Sequence, residues 1–355
     1  MGGLAAAARP APLSFQSTIG GTPARNPRRT RLRVLRPPVP VLLSWNASAV
    51  HSAKQMSQPS LFPQGTIGFP VTPWDADLRL DEAALRAHAE RMLAAGLDAL
   101  SFCGSNGELH ALGLPEYERI CEIAGGLAAQ RAYLIFGVGQ SWRTACTQAV
   151  YARRAGARAV MCIAPYMADP NEGGLADYYR SVADAAGISV ILYQTKWSGT
   201  LPLSLLERLA RVENICMVKD ENGDLSHYLQ IRRHFGDRFH WINGMAEPFV
   251  PSYWKLGVET FTSGLACFMP QTTVRIRELA REGNFADING ILDDLVLPMY
   301  ELRNRRPGYK VSMIKTAMSL AGIPAGSVRP PLVAVDAADR EDLRSLMERH
   351  GLLAT

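Results

Sequence analysis

A lysine closes an uninterrupted apolar run in Ile215-Cys216-Met217-Val218-Lys219-Asp220. Such a run reads as a strand buried on both faces, and a lysine is an unusual residue to end it. Burial disfavours the ammonium, lowers the amine's pKa and leaves a neutral nucleophile. A neutral amine attacks ketones and forms a Schiff base. The competing reading is a strand-end lysine whose ammonium reaches solvent or pairs with Asp220. A phenol comes next in importance: Tyr193 ends another apolar run, 190–193. A phenol both gives and takes a proton, as expulsion of water from a carbinolamine requires. The alternative is a core tyrosine with a satisfied hydroxyl. The third element is Gly104-Ser105-Asn106-Gly107-Glu108. Glycines let backbone amides turn toward a ligand, a nest suited to a carboxylate, although a plain tight turn has the same composition. Glu108 reads as structural, pairing with backbone donors of the next helix.

Other lysines compete for the nucleophile's role. Lys255, Lys310 and Lys315 fall on helical stretches, where solvent or a carboxylate is the expected partner. Lys196 sits on a loop past Tyr193 and is a candidate to bind a distal carboxylate as a point charge, or else is solvated. The cluster Arg303, Arg305 and Arg306 reads as a solvated face, with a rim or subunit contact second. His110 follows the glycine loop and lines the pocket or the surface. The histidines are dispersed without metal-ligand spacing, so no metal site is expected. The six cysteines form no C-x-x-C pair, which points to a reducing cytosol, with neither a disulfide framework nor a zinc site.

The elements that must position these groups alternate regularly after residue 64. Strands are expected at 66–71, 99–102, 133–137, 159–163, 190–193, 215–219, 239–242 and 259–262. Helices are expected near 80–95, 115–129, 142–155, 174–186, 202–212, 224–235, 246–256 and 270–282. Eight strand–helix units in one run imply a parallel (β/α)8 TIM barrel over 61–283. A doubly wound sheet is the competitor, but no G-x-G-x-x-G follows the first strand. Helical stretches near 284–302, 309–321 and 338–349 make a C-terminal extension, residues 284–355, kinked at Pro298. Chemistry in such a barrel sits at the carboxyl ends of the strands, which gathers Gly104, Ser105, Asn106, Tyr193, Lys196, Lys219, Gly244 and Ser263 on one face.

The chain has 355 residues and a net charge of +5, but the charge is uneven. Residues 1–60 hold eight basic and no acidic groups, and the remainder holds 30 basic against 33 acidic. That balance gives no reason to expect nucleic acid as a partner. No apolar run reaches the roughly 18 residues that span a bilayer. The proline-rich, basic residues 1–60 are expected to be loosely packed, as an over-extended start or, second, a transit peptide; a flexible arm that binds something acidic is a further reading.

Gly68-Phe69-Pro70-Val71-Thr72-Pro73, the Gly104–Glu108 loop, Leu192-Tyr193 and Val218-Lys219-Asp220 together resemble the dihydrodipicolinate synthase / N-acetylneuraminate lyase superfamily. Leu302–Tyr309 and Ala325–Leu332 are most similar to its 5-dehydro-4-deoxyglucarate dehydratases. The resemblance implies a cofactor-free lyase, commonly a homotetramer, in which Lys219 is the Schiff-base lysine and Tyr193 the proton shuttle. Ser105 and Asn106 match the pair that holds the keto acid's carboxylate, with Ser105 assisting the tyrosine. It implies a small keto acid as partner, dehydrated and decarboxylated to 2,5-dioxopentanoate. Asn106 departs from the usual threonine. Met167 and Ser198 replace the relay tyrosine and the arginine of the synthases, which argues against synthase activity. Gln194-Thr195-Lys196 replaces the Asn-Arg of the dehydratases, so Lys196 is the candidate substitute. A pyruvate-releasing aldolase and a non-catalytic keto-acid sensor are the alternatives.

Overall fold

The computed structural model describes residues 60–354 except Met167. The basic segment 1–60, apart from Ser60, and the reading made at Met167 therefore lie outside the described residues.

Eight parallel strands close into a barrel in sequence order. They are β1 (Gly65–Gly68), β2 (Ala99–Phe102), β3 (Tyr133–Val138), β4 (Ala159–Ile163), β5 (Ser189–Thr195), β6 (Ile215–Glu221), β7 (His240–Asn243) and β8 (Thr260–Ser263). The intervening helices are α1 (Glu82–Ala94), α2 (Leu114–Ala128), α3 (Trp142–Arg154), α4 (Glu172–Ala186), α5 (Leu203–Leu209), α6 (Leu225–Phe235), α7 (Val250–Lys255) and α8 (Pro270–Arg281). Closure is made by β1 against β8, from Gly65 opposite Thr260 to Gly68 opposite Ser263. This is a TIM barrel.

Alternation sorts the strand residues between two cores. Ile67, Phe69, Ala99, Ile135, Met161, Ile191, Met217 and Ile242 fill the interior. Leu100, Phe136, Val160, Leu192, Val218 and Phe261 pack outward under the helices. Polar N-caps start several helices: Asp81 accepts from Ala84, Asn171 from Gly174 and Asp224 from His227.

After the barrel come α9 (Phe285–Ile291), α10 (Leu297–Asn304), α11 (Tyr309–Leu320) and α12 (Ala337–Arg349). The helix expected over 284–302 is interrupted by a π turn at Leu292–Val296, just ahead of Pro298. Proline has no amide hydrogen to give the preceding turn, so the interruption falls beside it.

The C-terminal extension is fastened to the barrel through Glu108. This carboxylate is fully buried. It pairs with Lys315 of α11 at 2.7 Å, and accepts from the Trp74 indole at 3.1 Å and the Arg329 amide at 2.9 Å. Lys315 also donates to the Ser327 carbonyl at 2.7 Å, and burial pushes its pKa down to about 8. Arg329 lies over the Trp74 ring at 3.7 Å and binds Glu116. The structural role read for Glu108 therefore has its partners in side chains and the distant C-terminal segment as well as in a backbone amide. Lys315→Met would strand a buried carboxylate with its neutral donors alone. The expected loss is about 3–5 kcal/mol in urea denaturation, the range for breaking a buried pair from one side. A change within about 0.5 kcal/mol, as at an ordinary surface site, would show that the pair holds nothing.

Candidate active site

The mouth of the barrel is built where β5 and β6 run furthest past the other strands. Their pairing continues through Tyr193 opposite Lys219, Gln194 opposite Asp220 and Thr195 opposite Glu221. Strand alternation then divides the polar residues. Lys219 and Glu221 share the interior face with Met217. Asp220 points the other way, where it accepts from Gln194 at 2.8 Å, from the Asn222 amide at 2.9 Å and from the Tyr253 hydroxyl. Asp220 is thus occupied in fixing the strand end and is not the partner of Lys219.

Lys219 is 4% exposed. Its Nζ lies 3.7 Å from the centre of the Tyr193 ring and 5.1 Å from that of Phe69. It donates to Glu221 Oε2 at 3.1 Å, and the Tyr193 hydroxyl donates to that same oxygen. Burial lowers the pKa of Lys219 against the opposing pull of Glu221, while the nearby charges of Lys310 and Arg303 add to the lowering. Burial raises the Tyr193 phenol well above its ordinary value, Glu221's negative charge raises it further, and Ser105 opposes. For Glu221, burial pushes up, but the charge of Lys219 and the donations from Tyr193 and Lys219 outweigh it and hold the carboxyl below its usual range. The arrangement is a buried amine of reduced basicity, a phenol that keeps its proton, and a carboxylate touching both.

Gly244 explains how the amine fits. A Cβ there would stand 2.6 Å from the Asp220 carbonyl oxygen and 3.1 Å from Lys219 Cγ. Glycine lets β7 pass against β6 at this level, where the Gly244 amide also donates to the Asp220 carbonyl at 2.8 Å.

The glycine loop after β2 is a shaped turn. Cys103 and Glu108, on either side of it, have left-handed backbones with φ of 53° and 52°. The conformation is uncommon for residues with a Cβ and persists where surrounding bonds enforce it. Here the Gly107 carbonyl accepts from Thr72 at 2.7 Å, and the Gly104 carbonyl accepts from Leu109. Ser105 is exposed and interacts with the Tyr193 phenol. Asn106 is buried, and its side-chain nitrogen abuts Gly264, where a Cβ would come within 2.7 Å.

Two expected residues stand differently. Ser263 is fully buried, donates to Glu247 and accepts from the Ala266 amide at 2.9 Å. Alternation turns it outward with Phe261, so its hydroxyl joins β8 to Glu247, which in turn accepts from Tyr300 of α10 at 2.8 Å. Ser263, expected to bind substrate, thus has Glu247 and the Ala266 amide as its partners. Lys196 is exposed on the loop after β5. That loop folds back on itself through the Thr195–Gly199 bridge, and Ser198 closes it by accepting from the Thr195 amide at 3.0 Å. Cations that act on the site come from the C-terminal helices. Lys310 Nζ is 4.0 Å from Glu221 Oε1, and the charge of Arg303 reaches Tyr193 and Lys219. The arginine cluster is therefore split, with Arg305 and Arg306 bound to Asp339 and Arg303 donating to the Lys310 carbonyl at 3.1 Å.

A cavity of about 260 Å³ at the opposite end of β7, lined by Phe62, Arg232, His240 and Trp241 among others, shares no residue with this mouth. Among the described residues no group of three or more His, Cys, Asp or Glu is placed to hold a metal ion.

The profile of the Dihydrodipicolinate synthetase family matches residues 62–350. The chain belongs to that family. A "Probable 5-dehydro-4-deoxyglucarate dehydratase" from Pseudomonas entomophila is 33% identical over 295 residues, 82% of this chain and 96% of the relative. Another protein of that name, from Oceanobacillus iheyensis, is 30% identical and covers 81% of this chain and 94% of its own. Among solved structures, dihydrodipicolinate synthase from Bacillus clausii matches with a TM-score of 0.77 at 28% identity, over 82% of this chain and 98% of that one. A prophage protein of the same family from Escherichia coli, solved in complex with pyruvate, matches at 0.74 with 26% identity, over 82% and 100%. This member of the dihydrodipicolinate synthetase family has no helix among its described residues long and apolar enough to cross a membrane.

Glu221 is the site residue that the sequence reading missed. Its signal was its place two residues beyond Lys219, on the same strand face.

Proposed function

We propose that this protein is a class I lyase that dehydrates a 2-keto-3-deoxy sugar acid, with 5-dehydro-4-deoxyglucarate as substrate and 2,5-dioxopentanoate as product. The observation that carries the reading is the buried Lys219 amine against the Tyr193 ring at the barrel's carboxyl end. The names of the relatives at 30–33% identity support the substrate, and the pyruvate complex of the solved neighbour supports a 2-keto acid at this mouth.

Lys219 condenses with the keto group and releases water, giving an iminium. Loss of a proton from the adjacent carbon gives an enamine, whose electrons expel the β-hydroxyl as water, with Tyr193 as proton donor. Decarboxylation follows, with electrons again drawn toward the iminium, and hydrolysis frees Lys219. The iminium is the electron sink, so the chemistry needs no cofactor. The Gly104–Gly107 loop, with Ser105 and Asn106, holds the carboxylate next to the keto group. The second carboxylate of a diacid is held by the positive charge of Arg303 and Lys310, a role the sequence reading gave to Lys196.

The reading is tested by incubating the protein with 5-dehydro-4-deoxyglucarate and identifying products. Carbon dioxide and 2,5-dioxopentanoate in equal amounts are expected. Pyruvate with an aldehyde acid would replace the dehydratase by an aldolase, and saturable binding without turnover would leave a sensor.

A further inference from the structure

The mechanism above gives Glu221 no part, yet it is the carboxylate in direct contact with the amine. Its Oε2 accepts from Lys219 at 3.1 Å and also from the Tyr193 hydroxyl. The nucleophile and the phenol are thus joined through one oxygen atom. An ion pair serving the fold alone would be served as well by a carboxylate bound only to the lysine. This one is also half-exposed toward the mouth, with 31% of its side chain accessible, whereas Lys219 is nearly enclosed at 5%. Its other oxygen, Oε1, faces Lys310 at 4.0 Å. Glu221 therefore has one oxygen on the reacting groups and one beside a cation, and both remain near the opening through which a ketone enters.

We propose that Glu221 is a catalytic residue that carries the proton between Lys219 and the departing water, and then serves as counter-ion of the iminium. The proposal rests on reading Lys219 as the imine-forming amine. The proton balance closes without any outside group. The Lys219 ammonium gives a proton to Glu221 and becomes the free amine. The amine's lone pair forms the C–N bond as the carbonyl π electrons move to oxygen. That oxygen takes the Tyr193 proton, and the new ammonium nitrogen returns one to the phenolate, leaving a neutral carbinolamine. The C–O bond then breaks as nitrogen forms the C=N bond, and protonated Glu221 gives its proton to the leaving hydroxide. Lysine ammonium and ketone have become iminium and water, and Glu221 is again an anion beside the positive nitrogen. An anion within contact distance favours the charged iminium over the neutral imine, which strengthens the electron sink.

The groups facing Glu221 are Lys219 on its own strand, Tyr193 from β5, Lys310 from α11 and, through its charge, Tyr300 from α10, while the charge of Arg303 acts on Lys219. Glutamate pulls the pKa of Lys219 up, and burial pulls it down. Removing the charge of Glu221 therefore frees the amine at lower pH while removing the proton carrier.

The test is borohydride trapping of pyruvate on the full-length protein across pH, comparing wild type with Glu221→Gln and Glu221→Asp. For Glu221→Gln the expected result is an imine-formation rate about a hundredfold lower, the scale of a lost acid–base group. The onset of trapping should also move to lower pH, because the Glu221 charge that raises the amine's pKa is gone. Glu221→Asp keeps the charge, so it should keep the wild-type onset and recover part of the rate. It also serves as the readout if the amide variant does not fold, as judged by circular dichroism. Adduct formation in Glu221→Gln at the wild-type rate and onset would overturn the proposal and leave the Lys219 reading standing, as would a displaced onset in Glu221→Asp. Absence of any adduct in the wild type would overturn the Lys219 reading itself.

Discussion

Lys219→Met is expected to abolish turnover, with kcat falling by roughly four powers of ten or more, the scale seen when a covalent nucleophile is removed. Methionine keeps the length and apolar stem that pack between Tyr193 and Phe69. It removes an amine that is expensive to bury, and Glu221 keeps the Tyr193 hydroxyl as donor and Lys310 as a neighbouring charge. The variant should therefore fold, with a melting temperature close to wild type, and fail only in chemistry. Lys219→Arg is the sharper companion. Guanidinium stays charged at every accessible pH, so a cation is preserved while the nucleophile is lost. Equal loss in both variants identifies covalent participation. If Lys219→Arg keeps more than about a tenth of the wild-type rate, the lysine's function is charge, and the iminium route fails.

Tyr193→Phe is expected to lower kcat by about a hundred- to ten-thousandfold with a much smaller change in KM. The ring would still flank Nζ, so the shape of the mouth and the apolar packing survive, while the hydroxyl that donates to Glu221 and interacts with Ser105 is gone. Burial and the negative charge of Glu221 hold the Tyr193 phenol well above its ordinary pKa, so it remains a proton donor throughout the neutral range. Lys219 can still form the iminium in this variant, more slowly, because the amine and its carboxylate remain. Stopped-flow kinetics with the sugar acid should show the loss in steps that move a proton to oxygen. Unchanged kcat would reduce Tyr193 to a packing residue.

The barrel was legible because its determinants are local and apolar. Each of the eight strands overlaps the span expected for it, and β2 and β4 begin and end on the same residues. Polar strand ends were harder. Gln194, Thr195, Asp220 and Glu221 fall beyond the strands expected at 190–193 and 215–219, yet they continue β5 and β6 as paired strand. Their side chains are polar because they line a water-accessible mouth or brace it from outside, and a hydrophobic pattern carries no signal there. The alternation rule does carry one. Applied outward from Met217 and Lys219, it places Glu221 inside and Asp220 outside; applied to β8, it turns Ser263 away from the axis.

Other features depended on contacts between distant parts of the chain. Glu108 and Lys315 are separated by almost the whole barrel in sequence, and no spacing rule connects them. The Arg303–Arg306 cluster looked like a solvated charge run because composition does not give helix phase. Asp339 draws Arg305 and Arg306 to α12, while Arg303 is held by the Lys310 carbonyl and the Tyr300 ring, from where its charge acts on Lys219. The site residues that carry the proposed chemistry, Lys219 and Tyr193, were legible because their chemistry depends on being at the end of a buried strand.

Peptide mapping after borohydride reduction in the presence of 5-dehydro-4-deoxyglucarate tests the central claim most directly. The account predicts a reduced adduct on the peptide containing Lys219, with the other peptides unmodified. An adduct confined to Lys196, Lys310 or Lys315, or continued turnover in borohydride with no adduct at all, would contradict it.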